Sequence, residues 1–236
     1  VSGPGGTLWG ANAVNGVINI ITKSAKDTQG TLVSGGGGAE LNGFGAVRYG
    51  GTLGSNVFYR VYGKSFDRDS TRAANGNQGT NAWHLSQGGL RLDWEPSDSH
   101  QLTVQGDYYG GAIAQPGLSD ILVEGGNLLG RWTRAFSEDS NLKVQFYYDY
   151  TRRVIPGTFT EHLGTYDLDV QHQFPVGERQ KIVWGAGYRL LDDDVGNSAV
   201  LAFLPAQVTR QVFSAFVQDS IVLVPDHTLL TTMGQD

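Results

Sequence analysis

Few residues in this sequence have types and spacings that could do chemistry. Asp192, Asp193 and Asp194 form an unbroken carboxylate run. Oxygen-rich runs of that kind can hold calcium or repel acidic ligands. As a bare run at the start of a long link, these three read better as a solvated face. The histidines, His84, His100, His162, His172 and His227, lack the short spacings of a metal site, so no metal is implied. Gly35, Gly36, Gly37 and Gly38 are not followed by a Lys-Ser pair or a helix start, which a phosphate loop requires. Here glycine more plainly lets a strand bend or approach its neighbour closely. No Ser-His-Asp set and no carboxylate pair stands out by spacing. No catalytic residue, enzyme activity or cofactor is expected.

One constellation remains. Arg68, Arg72, Arg152 and Arg153 are joined by Trp83 and Tyr109, with Tyr150 close by. A guanidinium fork suits anionic oxygens, and aromatic faces suit flat organic groups. Together they fit an anionic chelate. The competing reading is that such arginines pack loops or touch lipopolysaccharide. Either way, the six ligand candidates must be gathered at one end of a scaffold.

That scaffold is β. The 236 residues include 34 glycines, roughly twice the average share of about 7%, and no cysteine. Glycine is costly in helices and common at turns and barrel corners. The lack of cysteine excludes disulfides and thiolate metal sites. A net charge of -6 argues against a nucleic-acid partner, which would need a basic stripe. No apolar run approaches the roughly 20 residues of a membrane helix. Period-2 alternation dominates instead. Leu142, Val144, Phe146, Tyr148 and Tyr150 interleave with Lys143, Gln145, Tyr147, Asp149 and Thr151. Tyr166, Leu168 and Val170, and Leu102, Val104 and Tyr108, repeat the pattern.

Short turn-forming links near residues 54–56, 96–99, 137–140, 175–178 and 225–227 alternate with longer ones at residues 69–82, 113–126, 154–161 and 193–208. One early link, near Asn42, breaks the rule by being short. Tight turns at one end and long loops at the other describe an up-and-down membrane barrel, here with about eleven strands. Trp94, Phe136 and Phe174 close strands before short turns, while Tyr108, Tyr109, Tyr148, Tyr150 and Tyr188 lie near the opposite ends. They are expected to form two interfacial girdles.

The opening residues carry a family likeness. Gly3-Pro4-Gly5-Gly6-Thr7-Leu8-Trp9-Gly10-Ala11-Asn12-Ala13-Val14-Asn15-Gly16-Val17-Ile18-Asn19-Ile20-Ile21-Thr22-Lys23 resembles the last plug motif of TonB-dependent outer-membrane receptors. Gly3, Pro4, Gly10, Asn12, Gly16 and Asn19 are its most telling positions. Trp9 replaces the more usual Tyr, and Asn15 a frequent Gly. Phe216-Val217-Gln218-Asp219 is similar to a mid-barrel strand of the family, and Tyr49-Gly50-Gly51 and Tyr59-Arg60-Val61-Tyr62-Gly63 are similar to early ones.

The resemblance implies an all-β, antiparallel transmembrane barrel, partial at about 11 of the 22 strands that enclose a plugged lumen in such transporters. Residues 1–26 would end the plug, and residues 27–236 would form the first half of the barrel. It implies a monomer in the bacterial outer membrane that binds a metal chelate, foremost a ferric siderophore, or a similar nutrient, and imports it with TonB-supplied energy. Its partners would be the TonB complex (through a plug segment upstream), outer-membrane lipid and lipopolysaccharide, and the chelate. Both ends look cut, so a longer gene is expected, with a signal peptide and plug upstream and more strands downstream. A passive porin or adhesin barrel would lack the plug motif. A soluble β-propeller or sandwich enzyme would expose no apolar band.

Overall fold

The computed structural model describes residues 21–72, 74, 76–224 and 227–235. The six motif positions from Gly3 to Asn19 lie outside them. A 3-10 turn (Lys26–Thr28) leads into eleven strands: β1 (Gly30–Gly36), β2 (Leu41–Leu53), β3 (Val57–Arg68), β4 (Trp83–Ser97), β5 (His100–Ile113), β6 (Ile121–Ala135), β7 (Asn141–Ile155), β8 (Phe159–Val176), β9 (Gln180–Gly196), β10 (Gln207–Val224) and β11 (His227–Gln235). Each pairs antiparallel with the next, giving one meander in sequence order with β1 and β11 at its edges. The all-β barrel architecture read from the alternation is therefore present, as an open sheet.

The short links fall where the turn residues place them, at residues 54–56, 98–99, 136–140 and 177–179. Gly54 and Gly177 take positive φ there, 69° and 64°, where other residues would be strained. The long links differ from expectation. Only residues 69–82 keep their full length; the others shrink to residues 114–120, 156–158 and 197–206. Strands of 14 to 18 residues continue pairing into what the sequence presents as loop. Asp192, Asp193 and Asp194 accordingly stand inside β9, and Asp192 accepts a hydrogen bond from Thr209 Oγ1 at 3.1 Å.

The register sets the tilt. One lateral row of partners runs Val57, Trp94, Leu102, Trp132, Val144, Val170, Ala186. Val57 is the first residue of β3, whereas Ala186 is the seventh of β9. The row thus climbs six residues over six strands. One residue of about 3.4 Å per strand spacing of about 4.8 Å gives a tilt near 35°. Membrane barrels tilt their strands by about 35–45°.

The two faces of the sheet differ. One face is polar, as the hydrated inside of a barrel wall is, and residues 22–28 pack against that inner face through Arg60, Arg91 and Asp93. The alternate residues face outwards. From β4 to β9 the outward face repeats one order, counted from each short turn. Trp94, Trp132, Phe136, Phe174 and Trp184 come first, with His172 ringed by Phe136, Phe174 and Trp184. Aliphatic side chains, glycine and Phe146 follow, without an Asp, Glu, Lys or Arg. A second belt holds Tyr108, Tyr148, Tyr150, Tyr166 and Tyr188. Glu124, Arg152, His162, Asp192 and Asp194 appear only beyond it.

From Phe174 to Tyr166 on β8 is eight residues. At a 35° tilt these rise about 22 Å, close to the roughly 25 Å apolar band of outer-membrane barrels. Tyr109 leaves the expected upper girdle, because it shares the inner-face row of Gln87 and Gly125. Among the described residues only Ala25, Ala112 and Val195 are buried apolar side chains. A sandwich would bury one whole face of each sheet. This sheet leaves Leu90, Leu128, Phe146 and Leu168 between 43% and 52% exposed on its outer face.

Candidate functional site

The ligand candidates divide by strand parity. At the outer end of β3 and β4, Arg68 pairs with Trp83 across the sheet. The Arg68 guanidinium lies 5.8 Å from the Trp83 ring centroid, and Phe66 meets that ring edge-on at 4.6 Å. The inner-face row of Phe66 continues through Leu85, Gly111 and Val123 to Arg153. Tyr109 lies on the same face one row nearer the short turns. Its ring crosses Gly125, where a Cβ would come within 2.6 Å of the hydroxyl. Arg68, Trp83, Tyr109 and Arg153 therefore share the outer half of the inner wall.

Arg72 stands above them in the loop of residues 69–82, bridged to Gln78. That loop is held by its own bonds. Ser70 Oγ accepts from the Asn81 and Ala82 amides at 3.2 and 3.0 Å, and Gln78 Nε2 donates to Asp69 at 3.0 Å. Arg152 faces the other way. It forms a 2.9 Å ion pair with Glu124 on the outward face, just beyond the tyrosine belt, and its Nε donates to His162 at 3.3 Å.

Below the candidates the inner wall is polar. Tyr62 donates to Asp107, and Gln87 Nε2 donates to the Tyr62 hydroxyl at 2.9 Å. Tyr147 donates to Asp149 at 3.0 Å, and Arg189 pairs with Asp167 at 2.8 Å. A wall with this many fixed dipoles stays wetted and offers partners to a polar solute.

Near the short-turn end the wall holds the chain that enters β1. Asp93 is 1% exposed. Its carboxylate accepts from Arg91 Nε at 2.8 Å and Nη2 at 3.0 Å, Thr103 Oγ1 at 2.6 Å and the Ala25 amide at 2.7 Å. Arg91 Nη1 reaches Thr22 Oγ1 at 3.0 Å. Arg60 donates to the Lys23 carbonyl at 3.0 Å and to Thr28 Oγ1 at 3.3 Å. Lys26 pairs with Glu95 at 2.9 Å and lies over the Phe58 ring at 5.0 Å. The Glu95 hydrogen bond and charge raise the Lys26 ammonium above its usual pKa. Ala25 is fully buried and Thr28 nearly so.

The sequence reading missed this cluster. The signal available was Arg91-x-Asp93, two opposite charges on the wet face of a strand just before an interfacial Trp. Among the described residues no group of His, Cys, Asp and Glu could hold a metal ion.

No family model matches the sequence. Over 40 residues, 17% of this chain and 7% of the relative, it is 48% identical to the vitamin B12 transporter BtuB of Vibrio vulnificus (strain CMCP6). Solved structures match along almost the whole chain. The siderophore receptor PirA of Pseudomonas aeruginosa superposes with a TM-score of 0.75 at 17% identity, covering 99% of this chain and 44% of that one. PirA of Acinetobacter baumannii gives 0.72 at 15%, with 99% and 42% covered. The copper transporter OprC gives 0.70 at 14%, with 99% and 41% covered. The chain spans less than half the length of the solved structures it matches. These neighbours are TonB-dependent receptors of Gram-negative outer membranes, and none is an enzyme. This chain has the fold of part of a TonB-dependent outer-membrane receptor barrel, left as an open sheet.

Proposed function

We propose that the complete protein is a TonB-dependent outer-membrane receptor that binds a metal chelate outside the cell and imports it with energy from the TonB complex. In this reading residues 1–26 end the plug, residues 27–236 form the first half of a monomeric barrel, and further strands close the sheet among lipid and lipopolysaccharide. The observation that carries it is the course of residues 22–28. The chain lies against the inner wall before the first strand begins, as it must if a plug fills the lumen.

Arg68, Trp83, Tyr109 and Arg153, with Arg72 above them, would meet the chelate. Two guanidinium groups and two flat rings on one wet wall suit an anionic, aromatic iron complex. The ferric enterobactin receptor of Pseudomonas aeruginosa, a structural neighbour at 16% identity, has been solved with enterobactin. A ferric catecholate siderophore is accordingly the first ligand to try. Radioiron supplied as ferric enterobactin should accumulate in iron-starved cells that carry the complete gene. Accumulation should cease with a protonophore or when TonB is deleted. Uptake that persists without TonB would overturn the reading.

A further inference from the structure

We infer that the inner face of β3 is the track along which an anionic, aromatic chelate passes from the outer mouth of the lumen towards the plug. The inference rests on the proposed function and extends it to residues below those that first meet the ligand. Every second side chain of β3 faces the lumen, and in order they are Phe58, Arg60, Tyr62, Lys64, Phe66 and Arg68. Ring and cation alternate without a break. Contacts fix the parity: Arg60 donates to the Lys23 carbonyl, the Gln87 amide donates to Tyr62, and Phe66 meets the Trp83 ring. β3 is bonded to β2 on one side and to β4 on the other, so its facing is the same however the sheet closes.

The series has the length that a track needs. Arg68 and Arg60 are eight residues apart, about 27 Å along the strand and about 22 Å along the membrane normal at a tilt near 35°. Arg68 stands beside Trp83 at the outer mouth, and Arg60 lies against the chain that leads into β1. Neighbouring rungs are about 7 Å apart. A chelate with anionic and aryl parts can therefore keep one contact while it makes the next. Passage favours several weak sites over a single deep one. Charge also sets this strip apart. Among the described residues Arg60, Lys64 and Arg68 form no ion pair, unlike Arg91, Arg152 and Arg189. Arg48 of β2, across from Tyr62, adds a further cation whose Nε has no partner among the described residues. The carboxylates beside the strip are engaged: Asp93 by Arg91, Glu95 by Lys26 and Asp107 by the Tyr62 hydroxyl. Farther round the inner wall, Asp149, Asp167 and Asp169 put negative charge in the way of an anion.

Lys64 gives the test, since it is the middle cation and holds no ion pair. Binding and radioiron uptake of ferric enterobactin are measured on iron-starved cells making the complete receptor, both normalised to receptor in the outer membrane. Lys64→Gln should leave binding unchanged and slow uptake about two- to fivefold, the factor for losing one exposed cation–aromatic contact. Lys64→Glu should slow uptake further, and Lys64→Arg should keep the wild-type rate. Lys143→Gln removes an inner-wall cation on β7, away from the strip, and should change neither quantity. Normal uptake in Lys64→Glu would overturn the track, as would an equal loss in Lys143→Gln. Weaker binding in Lys64→Gln would place Lys64 in the receptor site at the mouth and overturn it too. Wild-type cells without TonB-dependent uptake would mean that the transport reading has failed, and the track with it. TonB-dependent uptake that Lys64→Glu leaves intact would mean that the track alone has failed.

Discussion

A carboxylate that is 1% exposed is tolerable only because every lone pair on Asp93 is used. Desolvating a charge costs several kcal/mol, and the Arg91 fork, the Thr103 hydroxyl and the Ala25 amide offset that cost. Removing the Asp93 carboxylate leaves the mostly covered Arg91 guanidinium without its ion-pair partner. Asp93→Ala should therefore cost about 3–5 kcal/mol of unfolding free energy in the complete barrel, read from urea titration in detergent. Lys26→Gln should change the midpoint little, since the ammonium is more than half exposed and its pair with Glu95 is screened by water. Equal midpoints for the two variants would mean that Asp93 carries no special burden. The cluster escaped the sequence reading for a physical reason. Its decisive partner is a backbone amide 68 residues away, and a backbone amide leaves no trace in residue identity.

The strands themselves were legible, because a membrane barrel writes its faces directly into period 2. β7 shows this most clearly. Gln145 shares a row with Asp93, Thr103 and Arg131 on the inner wall, and Arg131 Nε donates to it at 2.8 Å. Phe146 shares the outward row of Leu92, Val104 and Leu168, 43% exposed and midway between the two aromatic belts. Phe146→Arg should cost about 2–4 kcal/mol of barrel stability, the range for a cation facing lipid at midplane depth. Gln145→Arg should cost far less, since its side chain enters the hydrated lumen. A cysteine at position 146 should react with a lipid-phase probe and resist an aqueous thiol reagent. Similar behaviour at both positions would show the strand to be placed wrongly. Loop lengths were less legible. Pairing continues past the lipid boundary, where Val154 and Ile155 meet Thr160 and Phe159 as strand inside a link expected at residues 154–161. The alternation of Leu102, Val104 and Tyr108 already put Tyr108 on the apolar face, so Tyr109, its neighbour, belonged with the polar set and not in the girdle.

On the scale of the whole molecule, parity and tilt together decide which charges an incoming solute can meet. Arg152 and Arg153 are chain neighbours, yet one lies outside the wall beside Glu124 and the other lines the lumen in the row of Phe66. Counting by twos from Gln145 would have separated them from sequence alone. If the proposed receptor takes an anionic chelate from the outer end of the lumen, only the inward set should matter to affinity. Arg68→Gln with Arg153→Gln should weaken binding of ferric enterobactin to whole cells by at least about tenfold. One charge-assisted hydrogen bond is worth about 1.5–3 kcal/mol, and about 1.4 kcal/mol is a factor of ten. Trp83→Ala should weaken binding too, because it removes both the flat surface and the ring against which Arg68 is held. Arg152→Gln should leave the affinity unchanged, as its guanidinium is committed to Glu124 and faces the headgroup layer. Raising the salt concentration should reduce wild-type affinity and affect the double variant less, since screening acts on the charges already removed. Equal losses in Arg152→Gln and the double variant would mean that the arginines act through the outer surface, and the inner wall would no longer be the place where the ligand is recognised.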